Sequence, residues 1–216
     1  MPGRPIPLIT GEYYHLINRG ADNRAIFLQQ HDFKRFMNTI YYYQYAGPKP
    51  KFSKFSSGNL ISWKPNEEMK IVDIIAFCLM TNHFHLLIQQ LKDGGASKFM
   101  SQVLNSYTKN FNTKYKRKGA LFQGAFNAVL IENDNQLLHV SRYIHINSVA
   151  AGIVQDICDY KWSSHHEYMG LIKGFCSKEK ILGYFKSSES YDKFLHDQIE
   201  YGQSLEMIKR HLVDEL

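Results

Sequence analysis

The chain has 216 residues of which 44% are hydrophobic, a composition that excludes a disordered polypeptide and suits one good core plus an appendage. Lys and Arg number 26 against 20 Asp and Glu, and the resulting net charge of +6 suits a polyanionic partner. Three cysteines without ligand spacing exclude a disulfide framework, and no apolar run reaches membrane-spanning length, so a reducing, cytoplasmic setting is expected.

In chain order, residues 12–18 read as a first strand, followed by the turn-rich stretch Arg19-Gly20-Ala21-Asp22-Asn23. Phe33, Phe36, Met37 and Ile40 recur at helical spacing and predict an amphipathic helix over 32–45, stopped by Gly47-Pro48. Residues 49–69 form a polar insertion in which Lys49, Lys51 and Lys54 make a weak basic patch. The apolar run 71–80 predicts a central strand, Thr81-Asn82 breaks it, and 83–90 reads as its partner. Phe99, Met100, Val103, Leu104, Tyr107 and Phe111 mark a second helix from Ser97, with a basic run up to Lys118 before Gly119. A fourth strand is expected over 121–131. The order β-α-β-β-α-β predicts an α+β, ferredoxin-like antiparallel sheet with helices on one face.

A further helix is predicted from Asn133 or Asp134 to about Ser148. Residues 159–168 contain Trp162 and adjacent histidines His165 and His166, and short helical segments follow Gly170, the last at 205–216. The expected organisation is one domain over 1–170 and a helical extension over 171–216.

Two places carry chemistry. In a strand, residues two apart share a face, so His83 and His85 present adjacent imidazoles while Phe84 points away. That is half of an open divalent-metal site, and equally the pattern of two strand histidines without a metal. On the later helix, Tyr143 and Asn147 are four apart and share a face, placing a hydroxyl beside an amide oxygen. The same spacing suits a helix that packs its tyrosine on the sheet. Tyr107 is the runner-up nucleophile, although it lies on its helix's apolar stripe. Lys116, Arg117 and Lys118 are candidate phosphate contacts, and His139, His145, His165 and His166 have no spacing that requires a metal.

His83-Phe84-His85, flanked by Asn82 and Leu86-Leu87, resembles the HUH motif. Tyr143-Ile144-His145-Ile146-Asn147 resembles the tyrosine motif of the REP-associated tyrosine transposases, relatives of the single-tyrosine insertion-sequence transposases. Tyr14-His15-Leu16-Ile17-Asn18-Arg19-Gly20, Leu121-Phe122-Gln123-Gly124 and Trp162-Ser163-Ser164 match in order along the chain. The resemblance implies a divalent ion, Mg²⁺ or Mn²⁺, held by His83, His85 and Asn147, with Tyr143 attacking a scissile phosphate to leave a 5′-phosphotyrosine and a free 3′-hydroxyl. It implies single-stranded, hairpin-bearing DNA as substrate, contacted by Arg19, Gln123 and Arg142 besides the basic run, and a monomer or a homodimer.

Three positions depart from the family pattern: Ala125 replaces the usual Arg, Ser148 the usual Pro, and Ala150 the usual basic residue. The two missing cations bring in an alternative, a catalytically impaired regulator that binds hairpin nucleic acid. A rolling-circle replication initiator shares the same core but would carry a helicase region or phosphate loop. A protein unrelated to nucleic acid, with a fortuitous His-X-His, is the third reading.

Overall fold

The computed structural model describes residues 8–52 and 63–199. Lys54 and the expected helix at 205–216 lie outside them. Four strands form one antiparallel sheet: β1 (Tyr13–Arg19), β2 (Val72–Met80), β3 (His83–Gln90) and β4 (Asn127–Ile131), in the order β2-β3-β1-β4. With α1 (Gln30–Tyr43) between β1 and β2, and α2 (Gly95–Lys114) between β3 and β4, this is the ferredoxin-like arrangement. In register, Ile17 lies opposite His85 and Arg19 opposite His83.

Both faces of the sheet are covered. Leu16, Ile74, Phe77, Phe84, Leu86 and Ile88 pack against Phe36, Ile40, Phe99, Val103 and Tyr107 of α1 and α2 in one core. On the other face Ile75, Cys78, Met80 and Leu87 meet a third helix, α3 (Asp134–Ala150), through Ile144, Ile146 and Val149. The chain continues through α4 (His165–Tyr168), α5 (Glu179–Leu182) and α6 (Ser188–His196), which add Tyr168, Ile181, Tyr191 and Leu195 to the second core. Double coverage explains why β2 is apolar almost throughout. Its outer edge is closed by backbone bonds from Leu79 to Trp162, Ser164 to Phe77 and Ser177 to Ile74. Among the described residues, no helix is long and apolar enough to cross a membrane.

Two elements differ from the sequence reading for local reasons. The fourth strand is regular only over Asn127–Ile131. Before it, Phe122 makes an isolated bridge to Gly20, Gln123 donates its amide to the Arg19 carbonyl, and Gly124 takes a left-handed φ of 66°. The second helix begins earlier, at Gly95, where a Cβ would stand 2.4 Å from the Ile71 carbonyl oxygen. Glycine permits that approach.

Asp32 ties the two helices together. It stands at the third position of α1 in a capping box with Gln29, accepts amides from Leu28 and Gln29, and accepts Lys114 Nζ at 2.7 Å and the Tyr115 hydroxyl at 2.7 Å. Burial raises its pKa, but the bonds from Lys114, Tyr115 and the two amides outweigh this and hold it below the usual range. Its contribution is therefore present above the ordinary carboxylate pKa and lost as pH falls through the lowered one. Asp32→Asn should cost about 1–3 kcal/mol in urea unfolding at neutral pH and make the acid limb of stability shallower than wild type.

Candidate active site

β3 presents His83 and His85 on the face that α3 covers, while Phe84 between them is buried in the opposite core. The rings of the two histidines are 5.0 Å apart. His83 Nδ1 meets the Asn82 amide oxygen at 2.7 Å; that oxygen only accepts, so Nδ1 is the donor in this contact.

α3 brings Tyr143 to this pair. It starts at Asn133, whose side chain accepts the Gln136 amide, and its middle lies over β2 and β3. The Tyr143 ring stands edge-on to His85 at a centroid distance of 5.3 Å. Asn147 follows one turn later, buried, on the same side of the helix as Tyr143. A phenol and two imidazoles from distant parts of the chain thus lie side by side.

A third imidazole belongs to the site and has no role in the sequence reading. His15, on β1, places Nε2 3.0 Å from His85 Nδ1; the two rings stack at 5.1 Å, and Tyr143 lies 6.0 Å from His15. Burial lowers the pKa of His15 to about 4, so it is neutral and the contact is one imidazole N–H donated to one lone pair. The alternation of Tyr13, His15, Ile17 and Arg19 is a signal for it, but only the strand pairing shows which histidine it meets.

The donor set is open. Among the described residues no three His, Cys, Asp or Glu side chains are grouped to hold a metal. His15 bonds to His85 rather than converging with the pair. Any ion here would rest on the His83–His85 pair and neutral oxygens such as that of Asn147, with positions left for a substrate.

The remaining candidates separate. Arg19 lies across from His83, near Asn23 with Nη1 to Oδ1 at 3.3 Å, and exposed Gln123 is anchored on its carbonyl, so both stand at the histidine end of the sheet. Lys116, with a left-handed φ of 50°, ends the second helix beside Lys118, and Arg117 Nη1 bonds Asn112 Oδ1 at 3.0 Å. Arg142, also expected among the DNA contacts, packs against α6. It is buried, donates to the Phe194 carbonyl at 3.0 Å, contacts His139 Nδ1 at 2.6 Å and stacks on Phe194 at 3.9 Å, clamping α6.

Tyr107 is buried among Phe27, Phe36, Phe111 and Phe122 on the other face of the sheet, its hydroxyl donating to the Ile26 carbonyl and its pKa raised by burial. Such a phenol is a poor nucleophile. His145 bridges the Tyr191 hydroxyl and Ser164 Oγ at 2.8 and 2.7 Å, and His165 contacts Asp192 at 2.9 Å; both hold the C-terminal segment. Ala125 is exposed next to Gly124, Ser148 is buried and Ala150 closes α3.

The architecture defines an α+β sheet protein with a paired-histidine strand facing a tyrosine helix. Residues 62–147 match the family model described as Transposase IS200 like. A Haemophilus influenzae protein named for the REP-associated tyrosine transposases is 27% identical over 104 residues, covering 44% of this chain and 59% of the relative. The chain therefore spans about three-fifths of that relative's length. A REP-associated tyrosine transposase solved bound to a REP hairpin shares the fold, with a TM-score of 0.52 at 19% identity, covering 80% of this chain and 88% of that one. By motif, family model and fold, this chain resembles the REP-associated tyrosine transposases.

Substitutions at two positions check the site's construction. In ¹⁵N–¹H correlation the wild-type His85 ring should show one tautomer, His15→Ala should let it populate both, and His15→Gln should restore a single form. Arg142→Gln should lose about 1–3 kcal/mol of stability and expose α6 to amide exchange.

Proposed function

We propose that the protein is a metal-dependent transposase-type nickase that cuts and rejoins single-stranded DNA at hairpin-bearing sites. The observation that carries this reading is the edge contact of Tyr143 with His85, which puts a phenol beside a paired-histidine strand. A free phenol has a pKa of about 10 and attacks phosphate poorly unless the site assists it. A divalent ion, Mg²⁺ or Mn²⁺, would polarise the scissile phosphate when bound, with His83, His85 and Asn147 as its holders.

The protein's own groups set the rest. Asn82 fixes the ring of His83 and His15 fixes that of His85, so the pair meets the phosphate preorganised. Tyr143 Oη attacks phosphorus and forms the phosphotyrosine bond as the P–O3′ bond breaks. The departing 3′ oxygen takes up a proton to become the hydroxyl, balancing the one lost by the phenol. A strand's 3′-hydroxyl reverses the step, so rejoining needs no ATP. Arg19 and Gln123 lie where they would receive the strand at the histidine end, and Lys116, Arg117 and Lys118 would hold phosphates beyond it. The fold-related transposase solved with a REP hairpin supports hairpin DNA as the ligand class.

The test is incubation of the chain with labelled hairpin oligonucleotides and Mg²⁺ or Mn²⁺, followed by mass spectrometry for a covalent adduct. An adduct on Tyr143, abolished by chelation and in Tyr143→Phe, His83→Ala and His85→Ala, is expected. An adduct that persists in Tyr143→Phe would overturn the assignment. Tight binding without any adduct would mark a regulator that has lost its chemistry.

A further inference from the structure

The outer surface of the α1–α2 layer, on the opposite side of the sheet from the histidines, carries an open cleft of about 650 Å³. Its walls are cationic and amide-rich. Arg35 of α1 projects from one side, its guanidinium stacked 4.1 Å over Phe52 and its buried Nε without a hydrogen-bond partner among the described residues. From α2 come Gln102, whose buried Oε1 likewise has no partner among the described residues, then Asn105 and Lys109. These positions, with Thr113 at the end, follow i, i+3 and i+4 steps, so they form one stripe down the helix.

Three features point to one class of ligand. All 20 residues of α2 lack Asp and Glu, while Lys98, Lys109 and Lys114 give it three cations. Neither Arg35 nor Lys109 has an ion pair among the described residues, and the nearby carboxylate, Asp32, is already bound to Lys114. Burial lowers the Arg35 pKa, offset only in part by Tyr43. The stripe from Gln102 to Thr113 also spans about 16 Å at 1.5 Å per residue. Donors strung along an open cleft of that length suit a linear polyanion better than a compact anion, which would need converging donors. Amides between the cations supply donors and acceptors for sugars and base edges.

We propose that this cleft is a second nucleic-acid contact, which holds the phosphodiester backbone of a single strand on the face away from Tyr143. It rests on the nucleic-acid reading for its ligand, and not on any chemistry at the tyrosine. Lys109 and Asn105 are exposed and can be changed without disturbing the core.

The experiment is fluorescence anisotropy of a labelled oligonucleotide, hairpin with a single-stranded flank, titrated with full-length Tyr143→Phe protein across a salt series in a chelator. Lys109→Glu and Lys109→Ala/Asn105→Asp should weaken binding several-fold and lower the slope of log K against log salt by about 0.7 for each phosphate no longer neutralised. Arg35→Ala should weaken binding further, with thermal melts showing that each variant is folded. Inorganic pyrophosphate at millimolar concentration should not compete; full competition at that level would assign the cleft to a compact anion and overturn the proposal. Unchanged affinity and slope in folded variants would overturn the cleft alone. Absence of salt-dependent binding by the parent protein would overturn the nucleic-acid reading with it.

Discussion

β3 serves two interiors at once, and the alternation of its side chains is the constraint on which everything else depends. Phe84, Leu86 and Ile88 fill the core under α1 and α2, so His83, His85 and Leu87 must turn to α3. A slip of one residue would drive imidazoles into the aromatic core and phenylalanine into the site. The register is held at the hairpin tip, where the Thr81 carbonyl accepts the amides of Ile26 and Phe27 and the Asn82 carbonyl accepts that of Gly20. The segment after β1 thus locks the histidines in place, although it contributes none of them.

A strand buried on both faces is ordinarily apolar throughout, and polar groups placed there need partners. His15 is the local partner for His85. The helix that covers them meets the same demand on a larger scale. Over its second half α3 is buried nearly all round, including Ser141, Arg142, His145, Asn147 and Ser148. His145 is kept neutral by burial and links Ser164 to Tyr191, which in turn bonds Ser141; Arg142 grips the end of α6. The helix that carries Tyr143 is therefore tied to Ser164, Tyr191 and Phe194 as well as to the sheet. The tyrosine helix and the C-terminal helices share one core, and disturbing one moves the other.

The parts of this site legible in the sequence are those written within one element. Period two places His83 and His85 on one face, and a spacing of four places Tyr143 with Asn147. The bounds of β3 agree because Thr81-Asn82 is an unambiguous break between two apolar runs. What escapes depends on pairing between elements. His15 looks like any strand histidine until β1 is laid against β3 in register. Arg142 looks like a surface cation until α6 closes over it. The fourth strand reads as longer because Leu121 and Phe122 are buried, yet burial comes there from an isolated bridge and a glycine turn.

The distribution of charge bears on the departures from the family pattern. Of the three helices packed directly on the sheet, α3 has one arginine, and it is buried; α1 and α2 carry Lys34, Arg35, Lys98, Lys109 and Lys114. Ala125 lies two residues from Gln123, at the histidine end, and Ala150 closes α3, so neither of these departing positions carries a cation. The cations of these three helices are therefore concentrated on α1 and α2, across the sheet from His83, His85 and Tyr143. Under the proposed function, salt and the outer helices would govern affinity, and the geometry that His15 and the C-terminal helices impose would govern chemistry.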